Sequence, residues 1–152
     1  MIEKTGRVLP LSREQLFDLV ADIERYPEFL PGWIAARILR REGNVCDVEQ
    51  VLGVGPMRVA FTSRAVMMRP ERIDISSDDA HFRHYSQTVQ VVPQSAGGCS
   101  LQLRAQLQLS SRMLDQIASR MLPASLEDSI RAFEERALRL YGATPGGAAR
   151  SV

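Results

Sequence analysis

The chain has 152 residues, of which 45% are hydrophobic and 24% are charged, and its formal net charge is +1. This length and composition fit one globular domain with a sizeable core, and the near-zero charge gives no indication of DNA as a partner. No apolar run approaches the ~20 residues that a transmembrane helix needs. Residues 1–4 do not resemble the start of a signal peptide, so we expect a cytoplasmic protein.

The N-terminal third begins with a predicted strand over residues 2–9 that ends at Pro10. Ser12 then has the character of a helix N-cap, and Gln15 three positions later completes a capping box. Apolar residues follow at helical spacing, which predicts a short amphipathic helix. These residues are Leu16, Phe17, Leu19, Val20 and Ile23.

Residues 26–33, the Tyr-Pro segment, place large apolar side chains between two prolines and a glycine. Each proline fixes its own φ and disfavours helix at the preceding residue. We therefore expect a stiff connector instead of an ordinary amphipathic helix. It holds its bulky residues as a lid or wall over an apolar space, or it serves only to fix the chain direction. The bulky residues are Tyr26, Phe29, Leu30 and Trp33.

The middle of the chain has the two-residue period of β-structure. We predict strands over residues 37–41, 45–52, 57–68, 72–76, 82–92 and 99–110, separated by glycine-, proline- and aspartate-containing turns. The residues from Met57 to Met67 and from Cys99 to Leu109 alternate most clearly. Such alternation is typical of antiparallel sheet with one face on a core and the other in water.

The C-terminal part predicts one long amphipathic helix over residues 112–141 that covers the apolar face of the sheet. Pro123 predicts a kink or break near residues 121–125. Gly142 is expected to end the helix. The prediction is therefore a single domain over residues 1–142 and a disordered tail over residues 143–152.

This order of elements resembles the helix-grip fold of the START-like, polyketide-cyclase-like superfamily. That fold is α+β, with a curved antiparallel sheet of about six or seven strands around a long C-terminal helix and one or two short helices after the first strand. Residues 8–33 are similar to the N-terminal signature of the coenzyme-Q-binding START-like family, which includes bacterial ribosome-association toxins. The matching positions are Pro10, Ser12, Leu16, Phe17, Leu19, Val20, Asp22, Tyr26, Pro27, Phe29, Leu30 and Pro31.

The chain departs from the family pattern further along. Ala80 and His81 stand where the family usually carries Gly-Pro, and Val89 and Val91 stand where it usually carries aromatic residues. We therefore expect the cavity to be reshaped or wider at these positions.

The resemblance implies a binding protein whose ligand is ubiquinone or a related polyprenyl quinone or lipid, held non-covalently in an internal cavity. It implies a lipid chaperone that supports respiration, without catalytic residues and without a metal or covalent cofactor. Methionines adapt to flexible ligands and aromatic rings stack on flat head groups, although the same residues at these spacings are more often plain core. The predicted cavity residues are Tyr26, Phe29, Leu30, Trp33, Met57, Val59, Phe61, Phe82, Tyr85, Leu103, Met113, Ile117, Met121 and Phe133.

A polyketide cyclase-like enzyme is one alternative, since cyclases of the superfamily use polar cavity residues. The candidates are Ser63, Tyr85, Thr88 and Arg104, the last on a predicted solvent face. His81 and His84 lack a third ligand nearby, so we expect no metal site. Cys46 and Cys99 are too few for a disulfide framework and are expected to be small buried hydrophobes.

A ribosome-associated protein is the other alternative. Basic residues cluster in the first strands, where a shared outer face would contact RNA or, at the periphery of the inner membrane, anionic lipid head groups. The simpler interpretation is a solvated sheet face balanced by nearby acids. These residues are Arg37, Arg40, Arg41, Arg58, Arg64, Arg69 and Arg72.

Overall fold

The computed structural model describes residues 1–142, which form one seven-stranded antiparallel sheet with two helices. The spatial order is β1-β7-β6-β5-β4-β3-β2, so every pair of sequential strands from β2 to β7 forms a hairpin and β1 adds to β7. The predicted α+β helix-grip architecture is confirmed. The elements are β1 (Ile2–Thr5), α1 (Arg13–Ala21), a 3₁₀ helix (Ile23–Glu28), β2 (Trp33–Glu42), β3 (Val45–Val54), β4 (Met57–Met68), β5 (Arg72–Ser76), β6 (Phe82–Pro93), β7 (Cys99–Leu109), α2 (Arg112–Ala137) and a π-helical turn (Leu138–Gly142).

The start of α1 follows the sequence prediction. The Ser12 hydroxyl accepts a hydrogen bond from the Gln15 backbone N–H at 3.1 Å, and the Gln15 side chain accepts one from the Ser12 N–H at the same distance. This reciprocal capping box satisfies two N–H groups that the first helical turn leaves without intrahelical partners. Leu16 and Val20, one turn apart, are then fully buried.

The long helix α2 packs against β7 and β1 and covers the sheet at that end. Its buried face includes Leu126, Ile130 and Phe133, which join one core cluster with Leu101 and Leu103 of β7. This packing removes the apolar face of α2 and the apolar face of the sheet from water. Such burial stabilises the fold by ~25 cal/mol per Å² of apolar area.

Two local features differ in detail from the prediction. Of the kink or break predicted near residues 121–125, the break is absent, because α2 continues through Pro123. The Tyr-Pro segment is also more helical than expected, since Pro27 lies inside the 3₁₀ helix. A proline ring holds φ near −65°, which a 3₁₀ helix accepts.

The two ends of the described chain also differ from prediction. Regular pairing of β1 stops at Thr5, and Leu9 rejoins the sheet through an isolated bridge to Cys99. The predicted tail, residues 143–152, lies outside the described residues. Cys46 and Cys99 are free and buried, as expected. Across residues 1–142, no helix has the length and apolar character needed to cross a membrane.

The bridge between Leu9 and β7 gives a first test. Gly97 and Gly98 both have positive φ, but a Cβ at Gly98 would lie 2.5 Å from the Leu9 carbonyl oxygen, whereas a Cβ at Gly97 would meet nothing within 4 Å. Gly97→Ala should therefore lose about 1–2 kcal/mol from backbone strain alone. Gly98→Ala should lose clearly more, because the bridge must also move.

Urea unfolding of both variants and the parent measures this difference in the free energy of unfolding. If the two variants lose equal stability, the predicted contact between a Cβ at Gly98 and the Leu9 carbonyl oxygen is wrong.

Candidate functional site: a cavity between the sheet and the long helix

A cavity of about 120 Å³ lies between the sheet and the middle of α2. Its wall combines apolar side chains with a small number of polar groups, the usual make-up of a site for a small organic ligand. The lining residues are Pro31, Gly32, Trp33, Leu52, Gly53, Tyr85, Ser86, Gln87, Ala105, Gln106, Leu107, Leu122, Ser125, Leu126 and Ser129.

Tyr85 is the most prominent polar group of the wall. Its side chain is buried, and its hydroxyl donates to the Gln87 side-chain oxygen at 3.2 Å. Burial raises the pKa of the Tyr85 phenol, because the charged form is poorly solvated there. The phenol is therefore a neutral hydrogen-bonding group, without the properties of a base.

An aromatic cluster holds the Tyr-Pro segment against α2. The Tyr26 ring meets the rings of Trp33 at 5.0 Å and Phe133 at 5.5 Å between centroids, both edge to face. The buried Tyr26 hydroxyl donates to the Val20 carbonyl. Burial, then the nearby Tyr85 and Asp22, raise the pKa of the Tyr26 phenol, so it stays protonated as a donor.

A second contact fixes the same segment. The Arg136 guanidinium of α2 lies 4.9 Å from the centre of the Phe29 ring and 3.2 Å from a Glu28 carboxylate oxygen. The segment is thereby attached to α2 on one side, while its end, from Pro31 to Trp33, lines the cavity. The segment is thus part core and part wall.

Ten of the fourteen predicted cavity residues lie in the cavity wall, in an aromatic group beside it, or in or against the core. Trp33 and Tyr85 lie in the wall of the cavity. Phe61 and Phe82 pack edge to face with each other and at a tilt against Tyr85, with ring centroids 4.7–5.5 Å apart. The others that pack in or against the core are Tyr26, Phe29, Leu30, Val59, Leu103 and Phe133.

The prediction of an inward-facing methionine lining is wrong at three positions. Met57, Met113 and Met121 are 45%, 61% and 39% exposed. Met57 stands at the first position of β4, where alternation no longer places a side chain over the core, and the other two lie on the outer side of α2. Ile117, on the same half of α2, is half-buried and approaches Gly55 in the β3–β4 turn.

The expected widening at Val89 and Val91 is also wrong, because both side chains are 2% exposed in the packed core and neither lines the cavity. The wall instead takes residues from β2, β3, β6, β7 and α2. The expected contributions of β7 and α2 are present, but that of β4 is not.

A second cavity, of about 620 Å³, opens beside the first. Strand β5 ends at Ser76, so β4 and β6 separate beyond it and leave an opening lined by Ser63, Phe82 and Tyr85 among others. Tyr85 lines both cavities and therefore stands between them.

Several wall residues escaped the sequence analysis. Leu52 and Gln87 line the cavity, as do two serines of α2, Ser125 and Ser129. Ser125 and Ser129 are one helical turn apart, which was the available signal. In a sequence, however, two serines at this spacing are also typical of a helix face exposed to solvent. Leu107, Leu122 and Leu126 also line the cavity, on the inward faces that strand alternation and helical spacing predict for β7 and α2.

Of the four candidate enzyme residues, Ser63 and Tyr85 both line the second cavity, whereas Thr88 and Arg104 lie elsewhere. Thr88 bonds to the Asp74 carboxylate at 3.1 Å and Arg104 pairs with Glu3 at 3.1 Å, both away from the cavity wall. His81 is hydrogen-bonded to Asp79 at 2.7 Å. Partial burial acts to raise the pKa of the Asp79 carboxyl, but hydrogen bonds from His81 and from the Thr62 backbone N–H outweigh it and hold this pKa below its usual value. In the part of the chain that the structure describes, no three histidine, cysteine or acidic side chains group as a metal site would require.

The basic residues of the first strands are mostly neutralised. Arg37, Arg64 and Arg69 pair with Glu49, Asp47 and Asp18 at 2.9–3.0 Å. Arg40 and Arg72 also have acidic partners, whereas Arg41 and Arg58 have none among residues 1–142. The geometry favours a solvated face of alternating charge over a continuous basic patch.

The sequence and the fold both have known relatives. The profile of the family described as "Polyketide cyclase / dehydrase and lipid transport" matches residues 9–134. The chain is 30% identical over 135 residues to the ribosome association toxin RatA of Rickettsia prowazekii, covering 86% of this chain and 92% of the relative. It is 25% identical over 141 residues to the mitochondrial coenzyme Q-binding protein COQ10 homolog B of Xenopus laevis, covering 90% of this chain and 58% of the relative.

Among solved structures, the Zhui aromatase/cyclase from Streptomyces sp. R1128 superimposes with a TM-score of 0.81 at 15% identity. The match covers 97% of this chain and 98% of that structure. At this identity the likeness concerns the fold alone.

The Tyr26 hydroxyl gives a test of the wall's support. Tyr26→Phe removes the bond to the Val20 carbonyl and leaves that acceptor buried, which should cost about 1–3 kcal/mol. The exposed Tyr141→Phe is the matched control and should change the free energy of unfolding little. Urea unfolding followed by circular dichroism measures both, and equal stability of the two variants would count against a structural role for the hydroxyl.

Proposed function

Because the chain belongs to the polyketide cyclase/dehydrase and lipid transport family, we propose that it binds a hydrophobic ligand between the sheet and α2 and carries it as a lipid chaperone that supports respiration. Ubiquinone or a related polyprenyl quinone is the leading candidate ligand. The observation that carries the proposal is the mixed cavity wall, in which Trp33, Leu52, Leu107 and Leu126 supply apolar surface beside the Tyr85 phenol.

The chemistry of this wall suits a flat ring with polar atoms and an apolar tail. Aromatic rings favour edge-to-face or offset contact with another ring, and Trp33 lies at the cavity with one side supported by Tyr26. The apolar side chains would gain ~25 cal/mol per Å² of ligand surface removed from water. The similarity to a coenzyme Q-binding protein supports the same ligand class.

The volume requires that the interior opens when a ligand enters. The cavity of about 120 Å³ is smaller than the ~150 Å³ that accommodates benzene in an engineered protein cavity. The half of α2 before Pro123 is the natural element to move. Proline has no backbone N–H, so the Ser119 carbonyl lacks its helical partner and the two halves of α2 are joined less firmly. Leu122, next to the proline, is part of the cavity wall.

Ligand content tests the proposal directly. Protein purified from cells should release a polyprenyl quinone or another lipid on organic extraction, identified by mass spectrometry. Adding ubiquinone should also quench the fluorescence of Trp33, which is the only tryptophan of the chain. No extracted lipid together with no quenching would overturn the proposal.

A matched pair of variants localises the binding. Ser125→Leu places a larger side chain in the cavity wall and should weaken ubiquinone binding about tenfold, since it occupies the space of the ligand. Ser119→Leu makes the same change on an exposed side of α2 and should bind as the parent does. Equal binding by both variants would place the ligand elsewhere.

Ribosome association is the second candidate function, favoured by the similarity to a ribosome association toxin over most of both chains. In that case the purified protein should lower the fraction of joined ribosomes in sucrose gradients and co-sediment with one subunit. Arg58→Glu, at a basic residue without an ion-pair partner in the described chain, should weaken co-sedimentation, whereas Arg37→Glu, already paired with Glu49, serves as the comparison. Unchanged gradients at protein excess would exclude this activity.

A further inference from the structure

A polar pair lies inside the sheet where the pattern calls for apolar residues. On β3, Cys46 and Val48 face the core and are at most 1% exposed, and Gln50, the next residue on that face, is 1% exposed as well. The hydroxyl of Ser63 on β4, which is 7% exposed, donates to the Gln50 side-chain oxygen at 2.5 Å. The pair is therefore a fixed interior feature.

The nitrogen of the Gln50 amide, unlike its oxygen, lacks a hydrogen-bond partner among residues 1–142. The Gln50 side-chain nitrogen is buried and has no hydrogen-bond partner in the described chain. An unpaired buried N–H destabilises a fold, and an apolar side chain of similar shape would avoid that cost. Fold stability alone thus gives no reason for an amide at this position.

The pair also lies beside both cavities. Leu52, the next inward residue of β3, lines the cavity under α2. Phe61 lies opposite Gln50 on β4, and its ring is 5.5 Å from that of Tyr85, which lines both cavities. Ser63 itself lines the second cavity. Gln50 itself lines neither cavity, so its amide lies behind the walls that Leu52, Ser63 and Tyr85 form, and a ligand reaches it once these side chains move apart.

We propose that the Gln50 side-chain N–H donates a hydrogen bond to an acceptor oxygen of the interior ligand, a carbonyl such as that of a quinone ring. This inference rests on the proposed binding function and names the group that recognises the polar end of the ligand. Ser63 is a positioning residue, because its hydroxyl holds the amide oxygen and leaves the N–H free. The unpaired donor is then the part of the site that selects a ligand with an acceptor over a plain hydrocarbon of the same size.

The test compares two small probes on three single variants. The probes are a ubiquinone with a single isoprene unit and pentylbenzene, which has a ring and a tail but no oxygen. The variants are Gln50→Met, Ser63→Ala and Ser100→Ala, the last at a buried serine of β7 outside both cavity walls. Equilibrium dialysis with chromatographic quantification gives the affinities, and urea unfolding without ligand gives the stability.

Gln50→Met should weaken ubiquinone binding about tenfold, the usual effect of losing one buried hydrogen bond, and leave pentylbenzene binding unchanged. The double variant Gln50→Met/Ser63→Ala leaves neither polar partner unpaired, so its stability without ligand should equal or exceed that of the parent, an outcome that a purely structural pair would not give. Ser63→Ala should weaken ubiquinone binding in the same direction, and Ser100→Ala should not.

The contrary results are distinguishable. If the parent binds both probes and Gln50→Met binds them equally well, or if the parent prefers pentylbenzene, the role of Gln50 is overturned while interior binding stands. If the parent binds neither probe, the proposed function falls, and this inference falls with it.

Discussion

The packing of Tyr26 is the contact on which the rest of the site depends. Its ring joins the 3₁₀ helix, the start of β2 and the inner face of α2, and its hydroxyl satisfies the Val20 carbonyl near the end of α1. A curved sheet and a long helix meet along only part of their length, so other side chains must fill the volume that remains. Tyr26 and Phe133 close it on one side, and the cavity begins where their packing ends, at Trp33.

This arrangement explains why the interior is neither a full core nor a wide channel. On the β7 side, Leu101 and Leu103 are packed completely, with exposures of 1% and 0%. On the β3 and β6 side, the inward positions carry Gln50, Tyr85 and Gln87, whose polar atoms resist close apolar packing. Polar groups placed inside at a cost to stability are typical of binding sites, because the ligand supplies the missing partners.

The interior of the protein favours the carrier function, whereas its charged surface gives little support to ribosome association. The outer face of β2–β4 alternates acids and bases, which suits solubility more than a polyanion, so ribosome association is supported mainly by similarity to a toxin. The carrier function is supported by the cavity as well as by similarity to a coenzyme Q-binding protein. The family description also names polyketide cyclases, and of the polar residues considered for such chemistry Thr88 and Arg104 pair with Asp74 and Glu3 instead of lining the cavity.

The sequence by itself determined the element types, the capping box at Ser12 and the buried faces of β4 and β7. Each of these depends on residues close together in the chain, through strand alternation, helical spacing or a cap three residues away. It also named Trp33 and Tyr85, which the structure places in the cavity wall. It misplaced the methionines, because periodicity assigns Met57 or Met113 to a face without showing where the facing element ends. Only the tertiary structure decided which inward residues border empty space, since that depends on where α2 crosses the sheet and on β5 ending early. Gln50 is the clearest case: its place in β3 was readable from alternation, but its unpaired nitrogen appears only when the neighbours from β4 and β6 are in position.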